Sequence, residues 1–95
     1  MVERIECIMW IRRLNYKDLL WISRTALKFN LIGNTFIRND GCAEVVAEGE
    51  DTILSAFADE LGRGRLFLTK IDNFAVTWHE AKGGFHEFSI KDTSH

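Results

Sequence analysis

Leu31-Ile32-Gly33-Asn34-Thr35-Phe36-Ile37-Arg38-Asn39-Asp40-Gly41-Cys42-Ala43-Glu44-Val45-Val46-Ala47-Glu48-Gly49 is the stretch on which the fold turns. Its middle, Asn39-Asp40-Gly41, is a tight-turn signal: Asn and Asp bond nearby backbone amides and tolerate left-handed backbone, and glycine adopts positive φ freely. Residues with high β-propensity lie on both sides, so the segment predicts a hairpin with strands over 31–37 and 43–47, ended by Gly49.

Helical periods flank this hairpin. Upstream, Leu19, Leu20, Ser23, Ala26 and Leu27 share an arc at about 100° per residue, which predicts a helix over 16–29 with that face inward. Before it, Arg4-Ile5-Glu6-Cys7-Ile8-Met9-Trp10-Ile11 is short and rich in β-formers, as a buried strand requires. Downstream, Glu50 and Asp51 place negative charge at the amino end of a second helix. Ile53, Leu54, Phe57, Ala58 and Leu61 form one face of that helix, and Gly62 and Gly64 are expected to stop it. A β-rich region over 66–79, centred on Phe74-Ala75-Val76-Thr77-Trp78, the Gly83-Gly84 turn and a last strand over 85–90 complete the chain. The order β-α-β-β-α-β with an extra terminal strand predicts an α+β fold: a ferredoxin-like sandwich, antiparallel sheet, two helices on one face.

Ninety-five residues suffice for one hydrophobic core, so 1–95 is expected to be a single domain. With 46% hydrophobic and 27% charged residues the chain has the composition of a folded globule, which excludes disorder. A net charge of -2 supplies no global field toward nucleic acid or anionic membranes. The first apolar run, 8–11, is too short for a secretory signal and no run approaches a membrane span, so a cytoplasmic location is expected. Cys7 and Cys42 both fall in strand-like segments and are expected to be reduced and buried.

The run Leu31-Ile32-Gly33 followed by Asp40-Gly41-Cys42-Ala43-Glu44-Val45-Val46-Ala47-Glu48-Gly49 resembles, without a gap, the acylphosphatase stretch Gly-Leu-x-Gly-Trp-Val-x-Asn, a turn ending Asp-Gly, and Val-Glu-Val-x-x-x-Gly. Phe57 and Leu61, the segment 71–76 and Phe85-His86-Glu87-Phe88-Ser89-Ile90 are similar to that family's second helix, fourth strand and closing strand. The resemblance implies metal-free hydrolysis of the carboxyl-phosphate bond, with no cofactor. An arginine at the start of the first helix and the amides of a glycine-containing loop would hold the phosphate, and an asparagine would orient water. Counted from Gly33, the arginine falls on Leu19 and the asparagine on Ile37, and neither side chain can donate a hydrogen bond. The loop Ile11-Arg12-Arg13-Leu14-Asn15-Tyr16-Lys17-Asp18-Leu19 carries no glycine, and Asp18 would repel an anion. The resemblance therefore implies a degenerate active site in an acylphosphatase-like domain that acts as a binding or regulatory module, as a homo-oligomer or with a protein partner. In the alternative, a divergent acylphosphatase holds phosphate with Arg12 or Arg13 and orients water with Asn39 or Asn34.

Other constellations are weaker. Lys17, Trp21, Arg24 and Lys28 fall on one helical stripe opposite Leu19, Leu20, Ser23 and Leu27, a cation-flanked tryptophan that suits a protein contact better than a nucleic acid. His79-Glu80 and His86-Glu87 flank the Gly83-Gly84 turn, where solvated polar residues are the ordinary reading rather than a metal site. No basic group adjoins either cysteine to activate it, and Ser23, Ser55, Ser89 and Ser94 lack a nucleophile elbow.

Overall fold

A computed structural model describes residues 1–63 and 71–91. Five strands and two helices follow in order: β1 (Val2–Ile11), α1 (Tyr16–Lys28), β2 (Ile32–Ile37), β3 (Ala43–Glu50), α2 (Asp51–Arg63), β4 (Ile71–Glu80) and β5 (Phe88–Ile90). They build one sheet in the order β4-β1-β3-β2-β5. β1 lies antiparallel between β3 and β4, and β2 is antiparallel to β3. The expected hairpin is present, with Ile37 paired to Ala43 across the turn.

Alternation along the strands sends Ile5, Cys7 and Met9 of β1 and Ala43, Val45 and Ala47 of β3 to one face. There they form a single apolar cluster with Leu19, Ile22 and Ala26 of α1 and Leu54, Phe57 and Leu61 of α2, so both helices cover the same side of the sheet. Phe57 meets Phe29 and Phe88 edge to face, with ring centroids 6.1 and 6.5 Å away. Cys7 and Cys42 are free and buried, as expected.

Two elements differ here from the sequence expectation. Gly62 does not stop α2, which continues to Arg63, and a Cβ there would meet the Phe74 ring at 3.4 Å, an ordinary packing contact. Gly64 and positions 66–70, where the β-rich region was expected to begin, lie outside the described residues. The last strand spans only three residues and runs parallel to β2, pairing Phe88 with Gly33, so the sheet is mixed. The reason is topological: β4 ends at one edge and β5 begins at the other, and residues 81–87 are used in crossing between them.

That crossing is fastened to the helix-free face by a buried acid. Glu48 is 2% exposed and accepts from Arg4 Nε at 2.7 Å, from the Lys82 amide at 2.8 Å and from the Gly83 amide at 3.1 Å. The Arg4 guanidinium also lies 5.1 Å from the Phe85 ring centroid, so one cation serves both the carboxylate and the strap above it. Burial alone would raise the Glu48 carboxyl; the Lys82 amide, the Arg4 guanidinium and the Gly83 amide together outweigh it and hold the group below the ordinary carboxylate value.

The inward face of α1 is also rotated from the expected one. Asp18, Leu19, Trp21, Ile22, Thr25 and Ala26 are buried, whereas Leu27 is 54% exposed. Four consecutive apolar residues, 19–22, cover the whole helical circumference, so periodicity alone does not choose among faces. Burial of polar residues decides it. The Thr25 hydroxyl donates to the Trp21 carbonyl at 2.8 Å and the Asp18 carboxylate caps its own helix, so both enter the interior already hydrogen-bonded.

Candidate functional site

β1 delivers the chain to the loop 12–15, which turns into the amino end of α1, while the carboxyl end of β2 arrives beside it through Ala43 of β3, paired with both Met9 and Ile37. A cradle for an anion at this place would be lined by free amides of the loop and first helical turn. Here the chain fills three of those amides itself, Asn15, Lys17 and Asp18. Asn15 is the N-cap, and its side-chain oxygen accepts from the Lys17 amide at 2.8 Å. The Asp18 carboxylate reaches back to accept from the Asn15 amide at 2.9 Å, and the Asp18 amide donates to the Asn15 carbonyl at 3.0 Å. The result is a reciprocal capping box in which a carboxylate, only 3% exposed, already stands at the positive end of the helix. The Asn15-x-x-Asp18 spacing carries this signal in the sequence.

The two positions tied by resemblance to an arginine and an asparagine are apolar and inward. Leu19 is 2% exposed within the core cluster, and Ile37 packs against the same cluster at the end of β2. Arg12 is engaged across the loop, its guanidinium 3.3 Å from the Asp72 carboxylate at the start of β4. Arg13 is exposed and takes a left-handed backbone with φ 58°, a tight turn made without glycine. Asn39 is exposed in the β2–β3 turn, beside Arg38, whose guanidinium pairs with Asp40 at 3.2 Å and Glu44 at 3.7 Å. Asn34 is paired between Val46 and Ser89, so it lies on the helix-free face, and its side-chain oxygen is buried with no hydrogen-bond partner among the described residues. Thus Arg12, Arg13, Asn34 and Asn39 are spread over the β1–α1 loop, the far face of the sheet and the hairpin turn.

The stripe of Lys17, Trp21, Arg24 and Lys28 requires correction. Trp21 is 7% exposed and belongs to the core, because the rotation of α1 turns this flank inward; Lys17, Arg24 and Lys28 remain exposed without it. Lys28 Nζ lies 3.9 Å from Glu60 of α2 and 5.7 Å from the Phe29 ring centroid, which ties the end of the stripe to its own fold.

Burial pushes the Cys7 thiol up to about 12. Burial, with the Asp40 carboxylate nearby, raises the Cys42 thiol as well, so neither sulfur is poised as a nucleophile. His79 Nε2 sits 3.2 Å from the Thr77 hydroxyl and 3.6 Å from Glu6, while His86 lies exposed in the strap. Among the described residues no three or more metal-ligating side chains gather. The helix-free face carries an open concavity of about 790 Å³ whose lining includes Glu6, Ile8, Phe36, Arg38, Glu44 and Lys91, with Lys91 Nζ 5.1 Å from the Phe36 centroid. Among the described residues no helix is long and apolar enough to cross a membrane.

Comparison with known proteins agrees with this geometry. A family profile for Acylphosphatase matches residues 11–90. An acylphosphatase from Bacillus subtilis (strain 168) is 33% identical over 70 residues, covering 74% of this chain and 76% of that protein. The crystal structure of acylphosphatase from Bacillus subtilis superimposes with a TM-score of 0.84 at 28% identity, over 96% of this chain and 99% of that one. An acylphosphatase from Coxiella burnetii, 19% identical, shares the fold with a TM-score of 0.78 over 95% of this chain and 93% of its own. Full-length HypF, 21% identical, contains the same fold in 12% of its length, with a TM-score of 0.84 over 98% of this chain. With matching sequence, strand order and helix placement, the chain belongs to the acylphosphatase family.

Proposed function

We propose that this acylphosphatase-family domain does not hydrolyse acyl phosphates and serves as a binding or regulatory module. The observation that carries the reading is the self-occupied amino end of α1. The Asp18 carboxylate and the Asn15 side chain take the Asn15 and Lys17 amides, and Leu19 is sunk in the core beside them. A bound dianion requires a cation and free donors at one point. A buried carboxylate there adds repulsion instead, and Leu19 and Ile37 supply neither donor nor charge. The opposing reading requires Arg12 to leave its exposed pair with Asp72, or Arg13 to turn in from its exposed place in the loop.

Purified protein assayed on benzoyl phosphate is expected to release phosphate no faster than a boiled control. Turnover well above that control would end the reading. Loss of such turnover in Arg12→Ala or Arg13→Ala would then establish the divergent enzyme.

A further inference from the structure

We propose that the outer face of α1 docks an amphipathic α-helix of another protein, one whose apolar seam is flanked by carboxylates. Tyr16, Leu20, Ser23 and Leu27 follow one another at spacings of four, three and four residues, the repeat of a two-helix seam. The rotation of α1 that buries Trp21 turns these four outward. Tyr16 is 59% exposed and Leu27 54%, with Leu20 and Ser23 half-buried between them. Single apolar side chains on a surface are ordinary, but three in one seam along the length of a helix have the pattern of a helix contact.

Charge selects the chemistry of the partner. Lys17 and Arg24 each directly follow a seam residue, Tyr16 and Ser23, and this flanking place is the one from which a charged side chain reaches across to a neighbouring helix. Lys28 extends the same flank, and all three cations are exposed. Asp18 is the only acid in α1 and is 3% exposed, so the outward face of the helix carries positive charge alone. Among the described residues, Lys28 is the one of these cations with a carboxylate in reach, Glu60 at 3.9 Å. Carboxylates along one side of an incoming helix would meet Lys17 and Arg24 while its apolar side covers Leu20 and Leu27.

The same charges argue against a second copy seated α1 on α1, which would bring cation to cation beside the seam. An anionic membrane fits less well, because the cations stand on one flank and the other flank, Leu19 and Ala26, is buried in the core. Nucleic acid would meet the cations and leave the apolar seam wet. The inference rests on the binding-module reading and gives it a partner. Turnover of benzoyl phosphate would remove that reading, whereas failure to bind a helix would remove the docking surface alone.

The probe is a fluorescently labelled peptide of three heptads, about 21 residues, with Leu at the seam positions and Glu on both flanks, beside a counterpart with Lys on the flanks. Fluorescence anisotropy with the full chain is expected to give a Kd of about 10–100 μM for the Glu peptide, as suits one helical face, and binding at least about tenfold weaker for the Lys peptide. Leu27→Gln is expected to weaken the Glu peptide about tenfold. Lys17→Glu combined with Arg24→Glu is expected to reverse the preference toward the Lys peptide. These side chains are exposed, so the variants should keep the circular dichroism of the parent. No binding of the Glu peptide up to about 1 mM, equal binding of the two peptides, indifference to Leu27→Gln, no reversal in the double variant, or tighter binding to phosphatidylserine vesicles or duplex DNA than to the Glu peptide would each overturn the proposal.

Discussion

Gly33→Ala is expected to abolish folding or leave a chain with little residual stability. Gly33 sits in β2 with φ +148°, a backbone that residues bearing a Cβ rarely adopt. A methyl at this position would overlap the Val46 carbonyl oxygen and come within 2.8 Å of its carbon and 2.9 Å of the Ala47 Cα. These are backbone atoms of β3, in the middle of the sheet, and no rotamer change relieves the overlap. Backbone strain of about 1–3 kcal/mol and overpacking of about 1–3 kcal/mol combine against a total of about 5–15 kcal/mol for an ordinary domain. Circular dichroism and thermal melting of the variant check this, and a melting point within a few degrees of the parent would show that β2 and β3 can separate where they are drawn together.

Glu48→Ala should cost about 3 kcal/mol, because it leaves the Arg4 guanidinium and two backbone amides without their acceptor under the strap. For a chain of this size that loss corresponds to a melting point lower by more than about 10 °C. The pH dependence has a definite sign. The folded Glu48 carboxyl is held below its ordinary value, so the unfolded chain binds its proton first as pH falls. The stabilisation is complete above the reference value of 4.5 and is lost as pH drops through the lower folded value. The gap in melting point between parent and variant should therefore be constant between about pH 5 and 7 and narrow below pH 4.5. A gap that widens under acid, or is absent at neutral pH, would show that Glu48 does not fasten the strap.

Sequence and structure part company at identifiable places. The β2–β3 hairpin was legible because its cause is local: Asn39-Asp40-Gly41 fixes the turn, and the turn fixes the register. The inward face of α1 was not, because Leu19, Leu20, Trp21 and Ile22 offer an apolar side in every direction and the choice depends on Thr25 and Asp18 being satisfied within the helix. The parallel course of β5 depends on a crossing between opposite edges of the sheet, and no local pattern encodes it. At the candidate site, spacing from Gly33 pointed to Leu19 and Ile37, which lie in the first turns of α1 and at the end of β2. What spacing could not convey is that the Asn15, Lys17 and Asp18 amides are already taken, although Asn15 and Asp18 stand in plain capping register. Glu48 reads as one more polar residue in β3 until its partners, 34 and 35 positions away, are seen.

The late arrival of β5 bears on how the molecule assembles and breathes. Gly33 and Phe88 pair across 55 positions of chain, so the ends of a long loop must meet before this short ladder forms. Among the described residues, the backbone bonds that flank it are the Gly33 amide to the Glu87 carbonyl at 3.0 Å and the Lys91 amide to the Thr35 carbonyl at 2.9 Å. This seam should be the last to zip and the first to part, opening while the β1–β3 centre stays shut. Native-state hydrogen exchange would report it as weaker protection at the Gly33 and Lys91 amides than at Cys7 or Val45, whereas equal protection would make the whole sheet one cooperative unit. A domain built this way keeps a rigid middle and a detachable hem.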